Sequence, residues 1–255
     1  MDDLDRFWPK PFVAGVSLTY DGSSEEQLDG VVPLLNQSGL KATFFADPGE
    51  MVGRIAGWRG VVGAGHEIGN CFLYSSVDED GLIPDWQPET FCAEMEDAEA
   101  LINEISPDRK HRSFALPCVR TRWGNGGLPV VERIFLDTIV RLNEEMLSPL
   151  IREQGFQGVR GPLQGFNDPK ETDPMAVKCF VGDGMDAESL CTATHIGISQ
   201  GSWVVLTFNA LRGVELDLAA HAKFLGWLSN CGDAVAVETF GESARRVSAR
   251  VDVGI

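Results

Sequence analysis

Val13-Ala14-Gly15-Val16-Ser17-Leu18-Thr19-Tyr20 is a run of apolar and small residues that ends on Asp21-Gly22. It predicts a strand, and the residues after it switch to a helical period. Leu28, Val31, Val32, Leu34 and Leu35 form one stripe, Ser23-Ser24-Glu25-Glu26 before them supplies an N-cap and first-turn acids, and Gly39 closes the helix. Working outward, the alternation repeats. A strand is expected over 42–45, a helix over about 51–62, a third strand or strand end over 66–71, a helix over 90–105 and a strand over 114–117. The stretch over about 119–185 is less regular. It has a glycine-rich start, a helix expected over 130–152, a short strand over 158–160 and a polar loop through Asn167-Asp168-Pro169. The pattern then returns as helix over 187–198, strand over 203–208, helix over 216–228, strand over 234–237 and a last helix over 242–248. Such alternation predicts one α/β domain over 1–255, with a mostly parallel sheet wrapped by helices. If the sheet closes into a barrel, a site belongs at the C-terminal strand ends.

A chain of 255 residues, 44% of them hydrophobic, can bury a core without disulfides or metals. Its net charge of -17 repels phosphate backbones and anionic membranes, so neither nucleic acid nor membrane is expected as a partner. No apolar run approaches the roughly 20 residues of a membrane span. The start, Met1-Asp2-Asp3-Leu4-Asp5, is acidic where a secretory signal is basic and then apolar, so a cytoplasmic location is expected. Cys71, Cys92, Cys118, Cys179, Cys191 and Cys231 are scattered without a C-x-x-C pair, which fits reduced thiols.

Several segments, in order along the chain, carry a resemblance. They are Leu18-Thr19-Tyr20-Asp21-Gly22, Gly39-Leu40-Lys41-Ala42-Thr43-Phe44-Phe45, Gly65-His66-Glu67-Ile68-Gly69-Asn70, Trp203-Val204-Val205-Leu206-Thr207-Phe208-Asn209 and Val235-Ala236-Val237-Glu238-Thr239-Phe240. Together they resemble the polysaccharide deacetylase (NodB-homology, carbohydrate esterase family 4-like) family. The region over about 119–185 matches least. The resemblance implies a distorted (β/α) barrel of about seven parallel strands with an open groove for a sugar polymer. It also implies a chemistry. A divalent metal held by one Asp and two His polarises an acetamide carbonyl and activates water. A neighbouring Asp serves as general base, and a later His as general acid.

The chain departs from that pattern at nearly every chemical position. Asp21 falls on the general-base position, and Gly22 on the lost metal ligand. The alternative register, with Tyr20-Asp21 as the pair, stays open at this point. Cys71 and Ser75 fall on the two ligand histidines, and Asn209 on the acid histidine, where an amide can hydrogen-bond but cannot transfer a proton. Ala115 stands where many members carry an arginine. Zinc sites take three protein ligands plus water, so no zinc or other family metal is expected as a cofactor. Asp21 could instead cap the following helix. Cys71 could be a small buried thiol, and His66 a hydrogen-bonded strand-end histidine. The candidate ligand-binding set is Cys71, Ser75, Gly22, His66, Glu67 and Trp123, the last for stacking from its glycine-rich loop. The expected partner is a carbohydrate or other small-molecule ligand bound by a catalytically inactive or strongly impaired protein, with self-association left open. Two alternatives remain. One is a metal-independent hydrolase of non-peptide C–N bonds, using Asp21 with Cys71, Glu67 or Asn209. The other is a structural subunit paired with an active relative.

Overall fold

The computed structural model describes residues 7–71, 88–116, 147–208 and 215–251. Its strands are β1 (Ala14–Asp21), β2 (Ala42–Ala46), β3 (Glu67–Cys71), β4 (Ser113–Ala115), β5 (Gly158–Gln164), β6 (Val177–Val181), β7 (Trp203–Phe208) and β8 (Val235–Val237). Every pairing between them is parallel. Strands β1 to β7 follow one another around a ring that closes where β1 pairs with both β7 and β2. The expected closed barrel of seven parallel strands is therefore present, with an eighth strand attached. β7 lines one edge of β1 along most of its length, so β8 and β2 divide the other edge. β8 takes Ala14–Val16 and β2 takes Leu18–Asp21. This division is the distortion: the barrel is closed at the C-terminal half of β1 and wedged open at its N-terminal half.

The helices are α1 (Val32–Ser38), α2 (Pro48–Met51), α3 (Ile55–Gly63), α4 (Pro88–Ile105), α5 (Ser148–Glu153), α6 (Ala187–Ser199), α7 (Leu218–Asn230) and α8 (Phe240–Val251). They pack outside the ring, except α8. Side chains alternate across the strands. Val16, Leu18 and Tyr20 of β1 join Phe44, Leu206, Leu35 and Phe224 in the outer layer. Ser17, Thr19 and Asp21 therefore face the interior. The interior is filled by Phe45, Val177, Trp203 and Val205 together with Trp8 and with Phe240, Ala244 and Val247 of α8. Trp8 lies directly on β1 at Gly15, where a Cβ would come within 2.1 Å of the indole, so only glycine fits.

Polar groups inside the barrel hold this packing. Gly241 N–H donates to Glu67 Oε2 at 2.8 Å, and Phe240 N–H to Thr43 Oγ1 at 2.8 Å. Thr43 and Ser113 hydroxyls donate to the same Glu67 carboxylate at 2.7 Å each. The first turn of α8 is thereby tied to β2, β3 and β4.

Most expected elements lie within a few residues of their places. Ser24 Oγ accepts Gln27 N–H at 3.3 Å, and Gly39 closes α1 at a φ of 68°. Strand β6 was not anticipated, and β5 runs on to Gln164 through an irregularity between Arg160 and Gln164. Of the helix expected over 130–152, the part before Leu147 lies outside the described residues. No helix among the described residues is long and apolar enough to cross a membrane.

Candidate functional site

The C-terminal mouth of the barrel is built around one ion pair. Asp21 ends β1 pointing inward, and Arg160 points inward from the third position of β5. Arg160 Nη1 reaches Asp21 Oδ1 at 2.5 Å and Nη2 reaches Oδ2 at 2.7 Å, a two-point contact between planar groups. The Arg160 side chain is 1% exposed and that of Asp21 10%, so solvent screens the pair little. Nη1 also donates to Thr207 Oγ1 at 2.7 Å and Thr19 Oγ1 at 3.1 Å, and Nη2 to the Leu116 carbonyl at 3.3 Å. The Thr19 hydroxyl donates to the Leu206 carbonyl at 2.8 Å, and the guanidinium carbon sits 4.9 Å from the Phe45 ring centre. Strands β1, β4, β5 and β7 thus converge on one buried cation. Arg160 is the register partner of Ala115 on β4, whose methyl leaves the interior free for the longer side chain.

Asp21 and its neighbour Tyr20 face opposite layers. Tyr20 lies in the outer layer, stacked on Phe44 and Phe208 at 5.1 and 5.3 Å, with its hydroxyl 2.7 Å from His221 Nε2. It cannot take the inward place of an acid. Asp21 does not cap α1 either, because its carboxylate is committed to Arg160. Gly22 follows at a φ of 84°, a conformation that disfavours any other residue.

Cys71 ends β3 at the same mouth, and its thiol donates to the Ala46 carbonyl at 2.7 Å. Burial, then the Asp21 and Asp47 carboxylates, push that thiol far above its usual range, with Arg160 opposing. It is therefore a protonated thiol and a poor nucleophile. His66 and Glu67 belong to the opposite end of β3. His66 Nδ1 accepts Ala42 N–H at 3.2 Å, Nε2 lies 3.3 Å from Asn36 Oδ1, and Glu67 ties down α8. The mouth thus brings together Asp21, Gly22 and Cys71, while His66 and Glu67 stand apart. Ser75, Trp123 and Asn209 lie outside the described residues; Thr207, two residues before Asn209, is at the mouth.

Of the positions matched to metal ligands, Gly22 offers no side chain and Cys71 keeps its proton in a hydrogen bond, so neither fits a divalent cation. No group of three His, Cys, Asp or Glu side chains among the described residues could hold a metal. Arg160 is the residue that sequence reasoning missed. The strand Gly158-Val159-Arg160 was foreseen, but nothing local marks its arginine as an interior residue.

Comparison with known proteins supports the resemblance. The sequence model of the polysaccharide deacetylase family matches residues 13–121. No curated protein sequence matches the chain. Among solved structures, a candidate polysaccharide deacetylase from Mycobacterium smegmatis superposes with a TM-score of 0.64 at 16% identity, covering 96% of this chain and 93% of the other. A polysaccharide deacetylase from Bacillus cereus gives 0.52 at 16% identity, covering 89% and 91%. A carbohydrate esterase family 4 pseudoenzyme from Bacillus anthracis gives 0.52 at 14% identity, covering 90% and 65%. At these identities the likeness is one of fold.

Proposed function

We propose that this polysaccharide deacetylase-like chain, with its NodB-type barrel, does not carry out the metal-dependent hydrolysis implied by the resemblance and instead binds a carbohydrate or other small ligand at the C-terminal mouth. The observation that carries this reading is the loss of donors at the positions matched to metal ligands: Gly22 offers no side chain, and the Cys71 thiol donates its proton to the Ala46 carbonyl. The Asp21 carboxylate keeps free lone pairs beside Arg160, so the reading rests on the metal positions and not on the base. A pseudoenzyme on the same fold is a precedent for keeping the scaffold without the reaction. Against a metal-free C–N hydrolase weigh the protonated Cys71 thiol and the distance of Glu67 from the mouth, because such a reaction needs a nucleophile beside its base.

The test is zinc calorimetry on the purified chain, together with acetate release from N-acetylated chitooligosaccharides with and without chelator. The expected result is no turnover and no zinc binding at micromolar strength, the level of about 8 kcal/mol. Oligosaccharide binding should be saturable and weakened in Asp21→Asn. Chelator-sensitive acetate release would overturn the reading.

A further inference from the structure

A cavity of about 770 Å³ opens at the other end of the barrel, beside the starts of β1 and β7. Its size is that of a small-molecule site. Phe7, Phe12 and Phe166 line it, together with Asp168, Lys170 and Gln200. Both sides are fixed. Trp8 Nε1 donates to the Gly201 carbonyl at 3.4 Å, which holds the N-terminal side. Opposite, Asn167 exchanges backbone hydrogen bonds with Trp203 at 3.2 and 2.8 Å. Its side chain also donates to the Lys178 carbonyl and accepts Lys178 N–H, both at 2.9 Å. Asp168 Oδ1 accepts Lys170 N–H at 2.8 Å, so the turn that presents the carboxylate and the ammonium is set before any ligand arrives.

We propose that this cavity is a second ligand site, for a neutral hydroxylated ring compound such as a short saccharide. The aromatic side chains suit a face of C–H groups. The ammonium, the amide and the carboxylate together provide donors and acceptors, which hydroxyl groups satisfy in both senses. One positive and one negative charge balance in the lining, so a ligand of net charge gains nothing from it. None of the residues lining the cavity belongs to the C-terminal mouth.

The test is NMR titration of the full chain with xylobiose and N,N′-diacetylchitobiose. Resonances are followed at Val13, Lys170 and Gly201 for the cavity and at Thr19 and Thr207 for the mouth. Gln200→Trp, on an exposed residue, places a ring in the cavity; Lys170→Met removes the ammonium. The expected result is saturable shifts at the cavity residues, weakened about tenfold or more in Gln200→Trp, the equivalent of ~1.4 kcal/mol. Those shifts should weaken in Lys170→Met and persist in Asp21→Asn. Shifts confined to the mouth would sink this site and leave the mouth reading standing. Shifts confined to the cavity would do the reverse. Cavity shifts unchanged by Gln200→Trp would also overturn the proposal.

Discussion

A buried carboxylate that loses its guanidinium partner is left charged without compensation, whereas losing both partners together costs much less. Arg160→Met removes the cation paired with Asp21 among the described residues, and the Asp21 side chain is only 10% exposed. The expected loss of stability is about 3–5 kcal/mol by urea unfolding. Asp21→Asn combined with Arg160→Met should recover more than half of it. A double variant as unstable as the sum of the singles would show that the pair is not what holds the mouth together. The two partners differed in how readable they were. Asp21 closes an apolar run and precedes a glycine, so its placement at a strand end followed from local pattern. Arg160 lies 139 residues away, on a strand with no local mark, and only barrel closure sets it opposite Asp21. Gly22 holds a second constraint the letters did not reveal. With its φ of 84°, Gly22→Asp should cost about 1–2 kcal/mol in the same assay, before any metal is offered. An unchanged midpoint would mean that the turn relaxes.

β3 shows why a recognisable segment need not be a site in all its parts. Gly65-His66-Glu67-Ile68-Gly69-Asn70 was legible as a strand end, yet its residues serve three different regions. His66 binds the β2 backbone, Glu67 binds α8, and Asn70 Nδ2 binds Glu99 and the Met95 carbonyl of α4. Strand alternation separates neighbours in sequence into opposite layers, so proximity along the chain says little about proximity to Asp21. Glu67 accepts two hydroxyl protons and one amide proton. In Glu67→Gln one acceptor becomes a donor facing donors already in place, which should cost about 1–3 kcal/mol. Hydrogen exchange should rise first in α8, because its tie to the barrel is what breaks. Exchange that accelerates evenly over the molecule would refute this role. β6 was missed for a related reason. Val177-Lys178-Cys179-Phe180-Val181 is short and carries an outward lysine, and its neighbour β5 is irregular, so its place depends on partners rather than on its own pattern.

At the scale of the molecule, acidification acts through two opposed effects. With 38 acidic and 21 basic residues, the chain sheds mutual repulsion as carboxylates take up protons, which favours the folded state. Two buried histidines act the other way. Burial holds His221 at about 4, while its ring touches Tyr20, Phe208 and Phe224. Burial, and then the Lys41 charge, hold His66 at about 4 as well, and its Nδ1 must stay bare to accept Ala42 N–H. Both folded values lie below the unfolded 6.5, so the contribution of each is fully present above pH 6.5 and is lost as pH falls through 4. The drop from 6.5 to about 4 corresponds to about 3 kcal/mol per histidine, and two such losses are comparable to the whole stability of a typical domain. Repulsion among exposed carboxylates is spread out and screened by salt, so the histidines should dominate at physiological ionic strength. Urea-unfolding stability should therefore fall between pH 6.5 and 4.5. The paired change Tyr20→Phe with His221→Leu should flatten that slope by roughly half, since it removes one of the two groups and keeps the outer layer apolar. A slope as steep in the paired variant as in the wild type would acquit His221, and stability rising steadily from pH 7 to 4.5 would assign control to the carboxylates.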